Sequence, residues 1–308
     1  MHYAVLFPGQ GSQVVGMAED VISSRADLLG QAANDLLGWD LAATIRNGPQ
    51  EVLTQTDRAQ PSLYATAYAL WEAFSAEVTQ PPQAAAGHSL GEYTALAAAG
   101  AVDYWDGLTL VAARGRAMAE AAAANPSSMA ALLGADGEKA ERIAADRRNA
   151  GGRIWVANLN APGQVVVAGG IEDIDWLVGA ARDLGVRRAV KLDVAGGFHS
   201  PLMESAASAL GAALADVVFS PGAFPVYSNV AAAPAADIAG SLGDQLTHPV
   251  RFEESIRAMG AAGIDTFIHV GPGDVTAGLV RRIARDATTH VVSTVEEASA
   301  VAAELSVQ

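Results

Sequence analysis

Apolar positions along the chain follow two alternating rhythms. Tyr3–Phe7 reads as a short buried strand ending in Pro8-Gly9-Gln10-Gly11-Ser12-Gln13. Leu63, Ala67, Leu70 and Phe74 recur at helical spacing and predict a helix over Leu63–Phe74. The run Ala84–Ala86 predicts a strand, and Glu92–Ala99 an alanine-rich helix. Asp106–Ala123 predicts another helix, capped by Asp106 and ended by Asn125-Pro126. The rhythm then changes. Ser128–Leu133 is strand-like, Gly137–Arg147 helical, Arg153–Leu159 and Gln164–Ala168 strands joined by a turn, Ile171–Leu184 helical, and Arg187–Val194 a strand. That β-α-β-β-α-β order is the ferredoxin-like pattern. Beyond Gly196 the spacing predicts a helix over Leu202–Leu214, a strand over Pro225–Ser228 and a helix over Glu253–Ala262. A strand over Thr266–Val270 and a helix over Val275–Asp286 follow, and Ala231–Ala236 reads as a surface loop. The expectation is an α/β fold whose large domain, 1–126 and 196–308, carries an inserted small domain, 127–195.

Composition narrows the class. The chain has 308 residues, 51% apolar and 17% charged, which suits a compact globular protein with a sizeable core. No apolar run is long enough for a bilayer and Met1–Gly9 lacks a basic stretch, so no membrane span or signal peptide is expected. The absence of cysteine excludes disulfides, a thiol nucleophile and thiolate metal sites, and fits a cytoplasmic protein, expected as a monomer. A net charge of −15, with Lys139 and Lys191 the only lysines, argues against nonspecific nucleic-acid binding. An acidic protein partner would need a local basic patch. Arg281, Arg282 and Arg285, or Arg187, Arg188 and Lys191, are the candidates, although each cluster reads first as solvated charge on an exposed face.

The chemistry centres on Gly87-His88-Ser89-Leu90-Gly91. A strand feeding a helix through such a turn lifts a serine hydroxyl to the top of a sheet and aims the next backbone N–H beside it. By itself the pentapeptide is either a nucleophile turn or an ordinary tight turn. A serine needs a base within hydrogen-bond reach. His88 points to the opposite face and reads as a packing residue, His269 as a core histidine, and His248 as a turn residue. His2 and His290 have unremarkable surroundings. His199, in Gly196-Gly197-Phe198-His199-Ser200-Pro201, is the remaining candidate, with Ser200-Pro201 fixing where the next helix begins.

The chain resembles the malonyl-CoA:acyl carrier protein transacylases, the acyltransferases of fatty-acid and polyketide synthesis. The resemblance rests on Phe7–Gln13, Gln60-Pro61, Gly87–Tyr93, Arg114-Gly115 with Met118, Asn158–Gln164, Phe198–Ser200, Pro249–Phe252 and Val270–Gly273, in that order along nearly the whole chain. It implies a hydrolase-like α/β large domain with a ferredoxin-like small domain. It implies Ser89 as the acylated nucleophile and His199 as general base and acid, oriented by a backbone carbonyl placed at Arg251. The backbone N–H groups of Gln10 and Leu90 would form the oxyanion hole, and Arg114 would hold the malonyl carboxylate. Phe198 would favour malonyl over a methylated unit; Gln60 and Asn160 would support the site or make ordinary turn bonds. Substrates would be a coenzyme A thioester and the phosphopantetheine thiol of an acyl carrier protein, with no metal or redox cofactor needed. A serine thioesterase, an acyltransferase subunit of malonate decarboxylase and a non-catalytic assembly subunit are the competing readings. A hydrolase would carry an acidic triad member before the histidine, for which Asp193 is an awkward candidate.

Overall fold

The computed structural model describes residues 2–307 and builds the chain around two sheets. The first has five strands in the order β7-β2-β1-β8-β9: β1 (Tyr3–Phe7), β2 (Ala84–Gly87), β7 (Val226–Tyr227), β8 (Thr266–Val270) and β9 (Thr288–Val292). Every pairing in it is parallel, with Phe7 opposite Gly87 and Leu6 opposite His269. Helices cover both faces, so β1, β2 and β8 are buried throughout; β1 and β2 read as unbroken apolar runs, and β8 carries the buried polar residues Thr266 and His269. The second sheet has four antiparallel strands in the order β4-β5-β3-β6: β3 (Ser127–Leu133), β4 (Ile154–Ala161), β5 (Gln164–Gly170) and β6 (Arg188–Lys191). The helices Gly137–Asn149 and Ile171–Ala180 complete a ferredoxin-like small domain inserted in the α/β domain.

Parallel neighbours end at the same edge of a sheet. The loop after β1 and the turn after β2 therefore meet, bringing Gln10 beside Ser89. Chain from the second sheet is tied to the first at this edge. Leu159 N–H donates to Val250 O at 2.8 Å, and Val250 N–H donates to Ala157 O at 2.9 Å.

The helix Thr56–Ser75 buries Leu63, Ala67, Leu70 and Phe74, as the spacing predicts. The helix Tyr104–Ala124 begins earlier than expected: Asp103, not Asp106, caps it, accepting from Trp105 N–H at 2.8 Å. Asp106 lies inside the first turn, where its N–H no longer marks a boundary. Residues 19–53 hold five short helices and the chain ends in β9 and the helix Val295–Val307, none of which the periodicity announces.

Both glycines flanking the serine turn are required for space. A Cβ on Gly87 would stand 1.8 Å from Gly91 C, and one on Gly91 would stand 2.2 Å from Phe7 O. Gly87→Ala is expected to destabilise the fold by about 3 kcal/mol or more, since backbone cannot give way as a side chain can. Gly211→Ala, in the exposed face of the helix Glu204–Ala215 with nothing within 4 Å of the added methyl, should stabilise by about 0.5–1 kcal/mol. Urea unfolding of the two variants checks the contrast, and equal effects would refute it.

Candidate active site

Ser89 sits between β2 and the helix Gly91–Ala98 with φ 52°, in the left-handed region a non-glycine residue enters only at a cost of about 1 kcal/mol. Two amide side chains hold that geometry. Ser89 N–H donates to Asn229 Oδ1 at 2.7 Å, and Asn229 Nδ2 donates to Gly87 O at 2.7 Å. Gln245 Nε2 donates to Ser89 O at 3.0 Å. The peptide groups that the bend withdraws from sheet and helix are thereby satisfied.

His199, also left-handed at φ 56°, places Nε2 2.7 Å from Ser89 Oγ. Ser200 Oγ accepts from Leu202 N–H at 3.3 Å and Pro201 opens a single 3-10 turn, Pro201–Met203, so the cap read from sequence is present. His199 Nδ1 donates to the backbone carbonyl of Gln245 at 2.8 Å, which leaves Nε2 as the acceptor facing the serine. The imidazole is buried. Desolvation, reinforced by the Arg114 charge, pushes its pKa down to about 3 against the pull of the Gln245 carbonyl, so it is neutral at physiological pH.

The carbonyl expected at Arg251 is supplied by Gln245 instead. Arg251 precedes the helix Phe252–Ala261, and its carbonyl accepts the Ser255 N–H at 3.0 Å and Ser255 Oγ at 3.1 Å. Gln245 ends the helix Ile238–Gln245, where carbonyls have no intrahelical donor and carry the negative end of the helix dipole. Arg251 braces the same region from behind, donating its N–H to Asn229 O at 2.9 Å.

Arg114 lies mid-helix and is 1% exposed. Nη1 donates to Gln60 Oε1 at 2.7 Å; Nη2 donates to Ser89 Oγ at 3.0 Å and Gln245 Oε1 at 2.9 Å. The guanidinium stands 5.4 Å from the Tyr93 ring centroid, and its Nε has no partner. Among the described residues no carboxylate pairs with it. Arg116, two positions on, is exposed. Gln60 thus reaches the site through Arg114. Asn160, on β4, instead accepts from His88 Nε2 at 2.7 Å, while the His88 ring packs 5.6 Å from Phe252.

Gln10 and Leu90 border the serine, and among the described residues the backbone N–H of neither is taken by a hydrogen bond. Ser89, Arg114 and His199 face a cleft of about 240 Å³ whose other wall includes Phe198 and, from the second sheet, Asn158 and Val166. His88 lines the same cleft but is engaged by Asn160, and His269 is satisfied in the core by Thr276 Oγ1 at 2.6 Å and Gly271 O at 3.1 Å. Asp193 lines the cleft, but His199 Nδ1 is already engaged. Lys191 pairs with Asp175 at 2.6 Å, and Arg282 crosses to Pro162 O at 2.9 Å and to Gln164 at the rim. Asn229, Gln245 and Glu92 are the site residues that sequence reasoning passed over; the place of Glu92 inside the Gly87–Tyr93 motif was the one available signal.

A parallel sheet with a left-handed serine at a strand–helix bend and a histidine at bonding distance is the framework of a serine acyltransferase. The acyl transferase domain model matches residues 5–302. The malonyl CoA-acyl carrier protein transacylase of Bacillus subtilis is 42% identical over 295 residues, 94% of this chain and 93% of that protein. The solved transacylase of Coxiella burnetii superposes with a TM-score of 0.93 at 34% identity, covering 99% of this chain and 98% of its own. A type II PKS acyl-carrier protein in complex with its malonyl-transacylase gives 0.92 at 33% identity, with 99% and 100% covered. The chain belongs to the acyl transferase domain family and, within it, to the malonyl CoA-acyl carrier protein transacylases.

The depressed His199 pKa has a kinetic consequence. Phosphonylation of the serine by an uncharged fluorophosphonate is expected to stay level from neutral pH down to about pH 5, because the base keeps its lone pair there. A protonation limb centred near 6.5 in the rate profile would refute the burial argument.

Proposed function

We propose that the chain transfers a malonyl group from malonyl-CoA to the phosphopantetheine thiol of an acyl carrier protein through a malonyl-Ser89 intermediate. Arg114 carries the reading. In a malonyl ester the free carboxylate lies one methylene from the reacting carbonyl, so a cation that binds it must stand within a few ångströms of the nucleophile. Arg114 Nη2 is 3.0 Å from Ser89 Oγ, buried, and without an acidic partner among the described residues. A guanidinium offers parallel donors to a carboxylate and stays charged when buried.

In this mechanism His199 Nε2 takes the hydroxyl proton as Ser89 Oγ attacks the thioester carbonyl. The N–H groups of Gln10 and Leu90 receive the oxyanion, and the proton passes from His199 to the departing coenzyme A thiolate. The carrier's thiol then gives its proton to His199 and attacks the acyl-serine, which regenerates the hydroxyl. Phe198 narrows the wall beside the base, and one methyl is worth about 1–3 kcal/mol of discrimination there. We take 127–195 as the small domain and its cleft-facing side as a cover that limits water. For an acidic carrier, exposed Arg282 bonds Gln164 at the cleft, and exposed Arg187 and Arg188 lie at the β6 end whose β3 neighbour Leu133 also pairs with Gln164, on a chain of net charge −15. A hydrolase triad fits less well, because a carbonyl rather than a carboxylate accepts from His199.

Intact-mass analysis after mixing with malonyl-CoA should show one malonyl adduct, absent in Ser89→Ala. Arg114→Ala should lose malonyl loading by a factor corresponding to about 3–5 kcal/mol, the cost of leaving a buried carboxylate unpaired. It should retain loading from acetyl-CoA. Equal loading of malonyl and acetyl groups by Arg114→Ala and the parent would sink the assignment.

A further inference from the structure

One buried acid has no part in the mechanism. Glu92, in the first turn of the helix Gly91–Ala98, is 1% exposed. Its Oε2 accepts from Asn229 N–H at 3.0 Å and from Gln245 Nε2 at 2.7 Å. The other end of that amide, Gln245 Oε1, accepts from Arg114 Nη2 at 2.9 Å. The sequence of contacts is carboxylate, amide, guanidinium. The amide orientation follows from its neighbours: acceptors surround Nε2, and a cation faces Oε1.

We propose that Glu92 is a selectivity-determining positioning residue, acting through Gln245 as a standing rival of the substrate carboxylate for Arg114. The inference rests on the malonyl reading of Arg114. A carboxylate that binds Nε2 polarises the amide and strengthens the hold of Oε1 on the guanidinium. The hydrogen contested is on Nη2, the same nitrogen that reaches Ser89 Oγ at 3.0 Å. A direct Glu–Arg pair would occupy the guanidinium fork and exclude the substrate carboxylate. One amide in between supplies counter-charge to a buried cation, yet leaves donors available. Burial pushes Glu92 up to about 7 against the pull of Asn229, Gln245 and Arg114 toward its anion, so the rival is fully charged only above neutral pH and the loading ratios below are read there.

The sign is testable. Glu92→Gln keeps the acceptor oxygen and removes the charge, so Arg114 should bind a carboxylate more strongly. The ratio of malonyl to acetyl loading on Ser89, read by intact mass in competition, should rise on the order of threefold or more. The swap Glu92→Gln with Gln245→Glu keeps an acid–amide pair but moves the charge against Arg114. Its ratio should fall at least about tenfold, by direct pairing. The swap also carries the test where the single variant does not fold. A ratio unchanged in both, even with both rates lowered, makes Glu92 structural only and overturns the proposal, as does a fall in Glu92→Gln. Arg114→Ala, run alongside, separates the two levels. If it keeps the parent ratio, the malonyl reading fails; if it collapses the ratio while Glu92→Gln leaves it, this inference alone fails.

Discussion

Gly87 and Gly91 are in backbone contact, and the active edge of the large sheet is built on that contact. With 1.8 Å between a hypothetical Gly87 Cβ and Gly91 C, no side chain fits at either position, and strand and helix meet at an angle only glycines permit. The angle forces Ser89, the residue between them that bears the hydroxyl, to φ 52°. Strain of that kind persists only where surroundings over-determine it. Here Asn229 and Gln245, 140 and 156 positions away, hold the serine's own N–H and C=O. The hydroxyl is therefore located by tertiary structure as much as by its pentapeptide.

Two ionisable groups next to that hydroxyl lack the partners usually found for them. His199 has a carbonyl where a serine protease has aspartate. Arg114 has amides where a buried arginine would have a carboxylate. The two absences are one design problem. Both groups touch Ser89 Oγ, at 2.7 Å and 3.0 Å, and the Arg114 charge already lowers the His199 pKa, so a carboxylate added for the histidine would also act on the field of the guanidinium. A neutral residue avoids the conflict. Gln245 serves the imidazole with its main chain and the guanidinium with its side chain, and it sits at a helix end where its carbonyl is free and partly negative. The imidazole loses some stabilisation of its protonated form and stays neutral. That suits the proposed role, a base that takes a proton from a hydroxyl and returns it to a thiolate.

What the sequence disclosed follows the range over which each signal acts. Ser89, His199 and Arg114 were legible because their motifs are short, ordered and matched by a family. The β-α-β-β-α-β insertion was legible because its elements alternate in order over stretches long enough to read; of the parallel sheet, β1, β2, β7 and β8 were legible as short apolar runs and β9 was not. Residues 19–53 were not, since helices of four to seven residues give periodicity no room. Gln245 was hidden by its helix, Ile238–Gln245, which carries two glycines and reads as loop. With that helix unseen, the nearest motif drew the carbonyl to Arg251, six residues on. The error has a general cause: a carbonyl that opens a helix is consumed within it, and one that closes a helix is available. Asp103 was displaced to Asp106 for a related reason, because Tyr104 and Trp105 obscure the first turn. Asn229 left no local trace, because its partners are all remote.

If Ser89 carries the acyl group, the same Nε2 that activates a thiol can activate water, so the chemistry of the base cannot separate transfer from hydrolysis. Access must do so. The cleft is closed on one side by the second sheet, and that sheet is fastened rather than merely adjacent. β4 bonds to Val250 on both sides of Asn158, and Asn160 bonds to His88, the residue before the nucleophile. His88 thereby connects the covering sheet to the bend itself, which gives a role to a histidine that no proton transfer uses. The second sheet is thus tied to the same bend that carries the hydroxyl. In the proposed transfer a narrow entering arm that fills this cleft would keep water from His199, so selectivity against hydrolysis rests on occupancy of the cleft and not on the base.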